Sequence, residues 1–512
     1  MIRKGTKLLV LCAFSAAFMA FAGLSAQAAF PDGIEIRQKN FDGYDEAAQT
    51  RYGSGYVKTI GLGENDAQTY PELAAGLKTY SEDLKKTQSE SFDSMLDAAR
   101  IMYSETGELR QVYLHLDILP RRMDDTVFSF LTYYEDYQGG AHGYYMFSGH
   151  NFDTATGEEL GLDQMITDED AFRSAVYDVL MKKYPDSSIG TLGNPIDQYG
   201  SKEGQIHFNW VMGADKLSVY FNPYDIGSYA EGVFVADLPF ADYPDLFTDK
   251  CQAQQGGYGM MFQTWTDESI DLDSDGIPSD LRVGLDYGNN AGADGYNWYE
   301  SLSVYVDNNS CNAGDLEFYE AQPYLMKTAD GRYYLYVVTS MENDYRQTSV
   351  FGFVGNSPYL AGTVSGSFGS RWDVDTEETI CFMPSDPDHF VMEKRGDLLS
   401  TYTISRSYRV GEDGMPQPLE DFYTCYAYNP LRTVMALPAQ PLNADTLEPE
   451  GDPIAIPAGE ELKIRRTDGV SAVDMEREDG SMVRVTLDGS KWPRTIDGVD
   501  EGEYFEQEYY AG

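Results

Sequence analysis

The chain has 512 residues and a formal net charge of −47 at pH 7. Its length exceeds what one hydrophobic core supports, so about three or four domains are expected. So acidic a chain repels phosphate backbones and anionic lipid, which excludes nucleic acid as a partner and favours basic proteins and cations.

Residues 1–28 read as an export signal. Arg3, Lys4 and Lys7 precede an apolar run from Leu8 to Leu24, and Ala26-Gln27-Ala28 supplies small residues for cleavage. Cys12 follows Leu11 inside that run, which does not suit lipoprotein cleavage. No later stretch reaches membrane-spanning length. The expected location is extracellular or the cell surface, without membrane insertion after cleavage. Cys251, Cys311, Cys381 and Cys425 follow the signal. Export permits disulfides, and their pairing is open.

Residues 29–250 read as an α+β domain, an antiparallel sheet with packed helices. Thr69 and Glu72 have capping-box spacing, and Pro71 suits a first helical turn. Leu73, Leu77, Tyr80 and Leu84 then form one apolar face, and the pattern resumes at Phe92, Leu96 and Ala99. Val112, Leu114 and Leu116 alternate as a strand. Thr132 to Glu158 holds aromatics, the turn Gly139-Gly140, His142 and His150, and a second turn at Thr156-Gly157. It predicts a hairpin with an ornate turn. A second helix starts near Thr167 and buries Phe172, Val176, Val179 and Leu180. Leu217, Val219 and Phe221 alternate as a strand that turns at Asn222-Pro223 and returns at Val233 and Val235.

Residues 251–440 read as a β-rich domain, with Tyr333 to Val338 the strongest strand run. A propeller is one arrangement this leaves open. Within it, Asp271, Asp273 and Asp275 alternate before Gly276. Carboxylates so spaced converge when the loop curls, and the Ile277 carbonyl and Asp280 complete an oxygen set for calcium. Arg282 stands where an EF-hand needs its last carboxylate, so the loop is of another kind. His115, His142 and His150 fit no zinc spacing. Residues 441–457 read as a proline-rich linker. In residues 458–512, Leu462/Ile464, Val473/Met475 and Val483/Val485/Leu487 form three alternating runs joined by glycine turns. They predict a small β-barrel.

Two blocks carry a resemblance. The first is Tyr133, Tyr134, Gly139, Gly140, Ala141, His142, Asn151, Phe152, Asp153, Thr156, Gly157, Leu160 and Leu162. The second runs from Leu217 to Tyr224, then Tyr229, Ala230 and Gly232, ending at Leu238-Pro239. In that order they resemble the extracellular domain shared by the anti-sigma factor RsiV and the deacetylase PdaC. The Asp-rich loop resembles integrin-type and thrombospondin-type calcium loops, and residues 458–512 resemble an SH3-like barrel. The first resemblance implies recognition of lysozyme-like basic proteins or cell-wall glycan, with His142, Tyr144, Tyr145, Tyr224 and Tyr229 as contact residues. It does not imply catalysis, because the deacetylase activity lies in a separate domain that has no counterpart here. G-x-S-x-G, H-E-x-x-H and P-loop motifs are also absent. The leading expectation is a secreted or cell-surface binding protein that is not an enzyme. A cell-wall hydrolase or deacetylase with an unrecognised site, and a calcium-stabilised surface scaffold, are the alternatives.

Overall fold

The computed structural model describes residue 30 and residues 33–512, apart from 192–195, 197–200, 203–204, 207, 288–297, 342, 344, 490–493, 508–509 and 511–512. The expected export signal lies outside the described residues. No helix among them is long and apolar enough to cross a membrane.

The N-terminal half is built on β1 (Ile34–Asp45), β2 (Thr50–Leu62), β3 (Val112–Met123), β4 (Val127–Tyr137) and β5 (Tyr144–Asp153). They run in order through one sheet, and the pairing is antiparallel except between β2 and β3. A parallel pair needs a long crossover. One helix, Pro71–Thr106, supplies it. The two expected helical segments are therefore a single rod, with Leu73, Leu77, Phe92, Met95, Leu96 and Ala99 buried along it.

The capping box at Thr69 does not form. A short helix, Glu64–Thr69, precedes the rod, and Thr69 donates its hydroxyl to the Asn65 carbonyl. Tyr70 occupies the cap position without a side-chain bond. The Thr156-Gly157 turn rests against the start of the rod. Gly157 has φ +68°, and a Cβ there would lie 2.1 Å from the Glu72 carbonyl oxygen. Only glycine accepts both conditions.

The division at residue 250 is not a structural boundary. The same sheet continues on the far side of β1 with Glu378–Met383 and Ser370–Asp373, giving seven strands. Its inner residues Ile118, Phe128 and Phe130 share a core with Met326, Tyr334 and Tyr336 of a five-stranded sheet. The other face of that sheet packs Leu325, Leu335 and Val337 against Leu281, Val283 and Val304 of a four-stranded sheet. Tyr333–Val337 is thus buried on both faces, which is why it reads as one unbroken apolar run. Among the described residues the β-rich part is stacked sheets, and the propeller arrangement is not seen.

The proline-rich linker is also revised. Leu437–Pro441 and Ile454–Ile456 pair with each other, and the first pairs with Met482–Thr486. Both belong to a ten-stranded sheet starting at Phe390. The three C-terminal runs are adjacent antiparallel strands with buried apolar positions, as their alternation predicts. Among the described residues their sheet does not close, so the expected small barrel is not shown. No disulfide joins the four described cysteines. Burial raises the Cys251 thiol to about 11 and the Cys425 thiol to about 12, which keeps both protonated.

Candidate functional site

The second helix spans Glu169–Lys183. Its cap is Asp168, one residue after the expected Thr167, and the Asp168 carboxylate accepts from the Ala171 amide at 2.8 Å. Phe172, Val176 and Leu180 pack it on a three-stranded sheet of Trp210–Met212, Lys216–Phe221 and Phe234–Pro239.

Three asparagines fasten this sheet to the hairpin strand β5. Asn151 donates to the Trp210 carbonyl at 3.0 Å and accepts from the Met212 amide at 2.8 Å. Asn222 accepts from the Phe147 amide at 2.8 Å and donates to the Phe147 carbonyl at 2.9 Å. Asn209 accepts from the Gly149 amide at 2.8 Å and donates to the Phe147 carbonyl at 2.7 Å. Each primary amide carries a donor and an acceptor, so each imitates a neighbouring strand. The backbones come so close that a Cβ at Gly149 would lie 1.9 Å from the Trp210 carbonyl oxygen. Asn151 and Asn222 both come from the resembling blocks. Their role is to join those blocks, which the sequence treats as ordinary strand and turn residues. Asn209 has no local sequence signal at all.

With the blocks joined, the expected contact residues can be placed. The hairpin turn is held by Gly139 at φ +81° and by Arg110, which donates to the Gly139 carbonyl at 2.8 Å. His142 donates from Nδ1 to the Gly143 carbonyl at 2.8 Å. Tyr229, from the second block, donates its hydroxyl to the same carbonyl at 2.7 Å. Both lone pairs of that oxygen are used, and the two rings lie 4.3 Å apart. Tyr145 meets Tyr229 edge-on at 6.0 Å, and Tyr224 lies 5.6 Å from it. Tyr224 is 63% exposed and sits at φ +78°, an outlier for a bulky side chain. His142, Tyr145, Tyr224 and Tyr229 therefore form one aromatic group. Tyr144 follows the pleat to the opposite face of the strand. Burial, then Asp225 and Asp136, raise its hydroxyl above the usual range.

Acids brace this face. Glu231 accepts from the amides and hydroxyls of Ser188 and Ser228, and these bonds lower its carboxyl to about 2. Glu135, opposite Tyr145, accepts from Tyr113, whereas Asp136, opposite Tyr144, accepts from Tyr134 and Gln138 on the other face.

In the Asp-rich loop, one carboxylate oxygen from each of Asp271, Asp273 and Asp275 lies within 4.8 Å of the others. Asp271 accepts from the Asp275 and Gly276 amides, and Asp275 from the Ile277 amide. Gly276, at φ +85°, makes the bend. Ile277 is exposed in the same loop. Asp280 stands outside the acidic group. It belongs to the strand Ser279–Tyr287 and lines a cavity together with Lys183. Burial raises its carboxyl, and the Lys183 charge opposes that rise. The histidines are dispersed. His115 is stacked between Tyr56 and Tyr113, and His150 lies against Phe130 and Tyr80. Among the described residues the Asp triad is the one group with metal-binding spacing.

A cavity of about 530 Å³ opens beside the aromatic group, and Tyr145 belongs to both. Arg121 and Trp265 line it. The sequence carried one usable signal for it, the adjacent Arg121 and Arg122 in a buried strand.

No curated protein matches the chain. Two solved structures are similar to part of it. A DUF3298 family member from Bacteroides fragilis is 18% identical, with 44% of this chain and 96% of that one covered and a TM-score of 0.34. A DUF3298 family protein from Pseudomonas aeruginosa PAO1 is 15% identical, with 44% and 98% covered and a TM-score of 0.32. Residues 167–241, which hold the second helix and the three-stranded sheet, match the model of the DUF3298 family, described as protein of unknown function.

Proposed function

We propose that the chain is a secreted or cell-surface binding protein without catalytic activity, and that it takes a basic protein of the lysozyme type on the face formed by His142, Tyr145, Tyr224 and Tyr229. The observation that carries this reading is the shared Gly143 carbonyl, which locks rings from two distant segments into one group beside an exposed Tyr224. Tyrosines bury area with little rotamer entropy to lose. The acid around them speeds encounter with a cationic partner more than it deepens affinity. Surface plasmon resonance with lysozyme, and with cytochrome c as an unrelated basic protein, tests it. Lysozyme is expected to associate faster at low salt, with dissociation little changed. Tyr224→Ala is expected to quicken dissociation about tenfold or more. Equal binding of both proteins, abolished by moderate salt, would show that charge alone attracts them.

Calcium at Asp271, Asp273 and Asp275, with the Ile277 carbonyl, belongs to the same proposal as a stabiliser of the β-rich half. The spacing of the three carboxylates supports it, since like charges so close repel without a cation. The wild-type melting temperature is expected to rise with Ca²⁺ and fall with chelator, and Asp273→Ala to remove the response. Unchanged melting together with silent calorimetry rejects it.

A further inference from the structure

The cavity beside the aromatic group has walls from β3, the DUF3298-like region and the Glu268–Ile270 and Ser279–Tyr287 strands. Its volume lies in the range of about 300–1,000 Å³ common for small-ligand sites. Two features there are unexplained by packing.

The first is Arg121, which is 6% exposed. Its Nη2 donates to Glu268 at 2.7 Å, but no protein group accepts from its Nε or Nη1. Buried donors nearly always find acceptors, and charged ones most of all. The second is Trp265, at φ +68° and 53% exposed. Its amide donates to the Val283 carbonyl at 2.8 Å. Its ring lies over Gly284, where a Cβ would come within 3.2 Å of it. A bulky residue at positive φ persists only where its surroundings over-determine it, and such positions cluster at ligand clamps. The fold here holds an indole half in solvent at the wall of a cavity.

The remaining lining indicates what fits. Tyr145, Phe147, Tyr184, Tyr220 and Tyr258 supply aromatic surface. Each basic group of the wall has a carboxylate partner there. Arg121 has Glu268, and Lys183 and Lys216 lie 3.4 and 3.5 Å from Asp237. Asp215 and Asp280 add carboxylate acceptors. A bare anion would meet these carboxylates, and a bare cation would meet Arg121. Hydroxyl groups both donate and accept, so a polyhydroxylated ligand satisfies both kinds of wall group. Its C–H faces suit the rings.

We propose that this cavity is a binding site for a neutral saccharide of one or two rings, with Trp265 against a sugar face and Arg121 donating to its oxygens. It is separate from the protein-binding reading and stands without it. Tryptophan fluorescence and calorimetry on the full chain, titrated with N,N′-diacetylchitobiose, cellobiose and maltose, test it. At least one is expected to give a saturable response at millimolar concentration or below. Trp265→Ala is expected to weaken that binding at least tenfold, and Trp265→Phe to restore part of it. Trp372→Ala, which removes an exposed indole far along the chain, is expected to leave it unchanged. Three outcomes overturn the proposal. One is no saturable response to any of the three sugars. Another is binding that survives Trp265→Ala. The third is a response to inorganic phosphate or putrescine alone.

Discussion

Asn151→Ala is expected to destabilise the join between the hairpin and the DUF3298-like region by about 2–6 kcal/mol, because it orphans two buried backbone groups at about 1–3 kcal/mol each. Asn151 is 2% exposed, and its amide serves the Trp210 carbonyl and the Met212 amide. Strand Trp210–Met212 pairs on one side with Lys216–Phe221, and on the other side Asn151 takes the place of a strand. Alanine leaves the site too small and too apolar to replace either bond. Hydrogen exchange at the Met212 amide is the local measure, and it should quicken. The denaturant midpoint of this region should fall with it. Binding at the tyrosine face should weaken as well, since Tyr145 and Tyr229 belong to the two parts being joined. A midpoint within error of wild type, with Met212 still protected, would show that the clamp carries no load.

Asp117→Ala is expected to cost about 3–5 kcal/mol, the usual penalty for removing one partner of a buried ion pair. Asp117 lies on β3 and joins two residues of the parallel neighbour β2. Lys58 approaches it at 2.6 Å, and the Tyr56 hydroxyl donates to it at 3.0 Å. Burial alone would lower the Lys58 ammonium pKa, but Asp117 holds it above the ordinary value. That raised value contributes stability present below the unfolded lysine pKa and lost as pH rises through the folded one. Removing Asp117 reverses the sign. Burial then depresses Lys58, so the unfolded chain binds the extra proton and stability rises with pH. The deficit of the variant should therefore be largest near neutral pH and shrink in alkali. Adding Lys58→Met should recover part of it at neutral pH. A deficit independent of pH and of Lys58 would place the cost in packing.

Much of the local structure was legible because it depends on near neighbours. Leu73 and Leu77, Phe172 and Leu180, and the three C-terminal runs show their buried faces through period alone. Gly139, Gly276 and Gly480 mark turns because the backbone there needs positive φ. The convergence of Asp271, Asp273 and Asp275 also follows from a short loop. Capping at Thr69 failed although its spacing was right, because the preceding short helix uses the Thr69 hydroxyl first. What only the tertiary structure decided is which distant pieces meet. Local pattern does not show that Glu378–Met383 lies beside β1. Nor does it show that Ile454–Ile456 pairs where prolines suggested a linker. Asn209 and Asn222 act through backbone more than sixty residues away. Arg121 and Trp265 share a cavity wall only because several strands converge there. Periodicity is set by each residue's own turn or pleat, whereas strand partners, clamps and cavities are set by the summed fit of surfaces far apart in the chain.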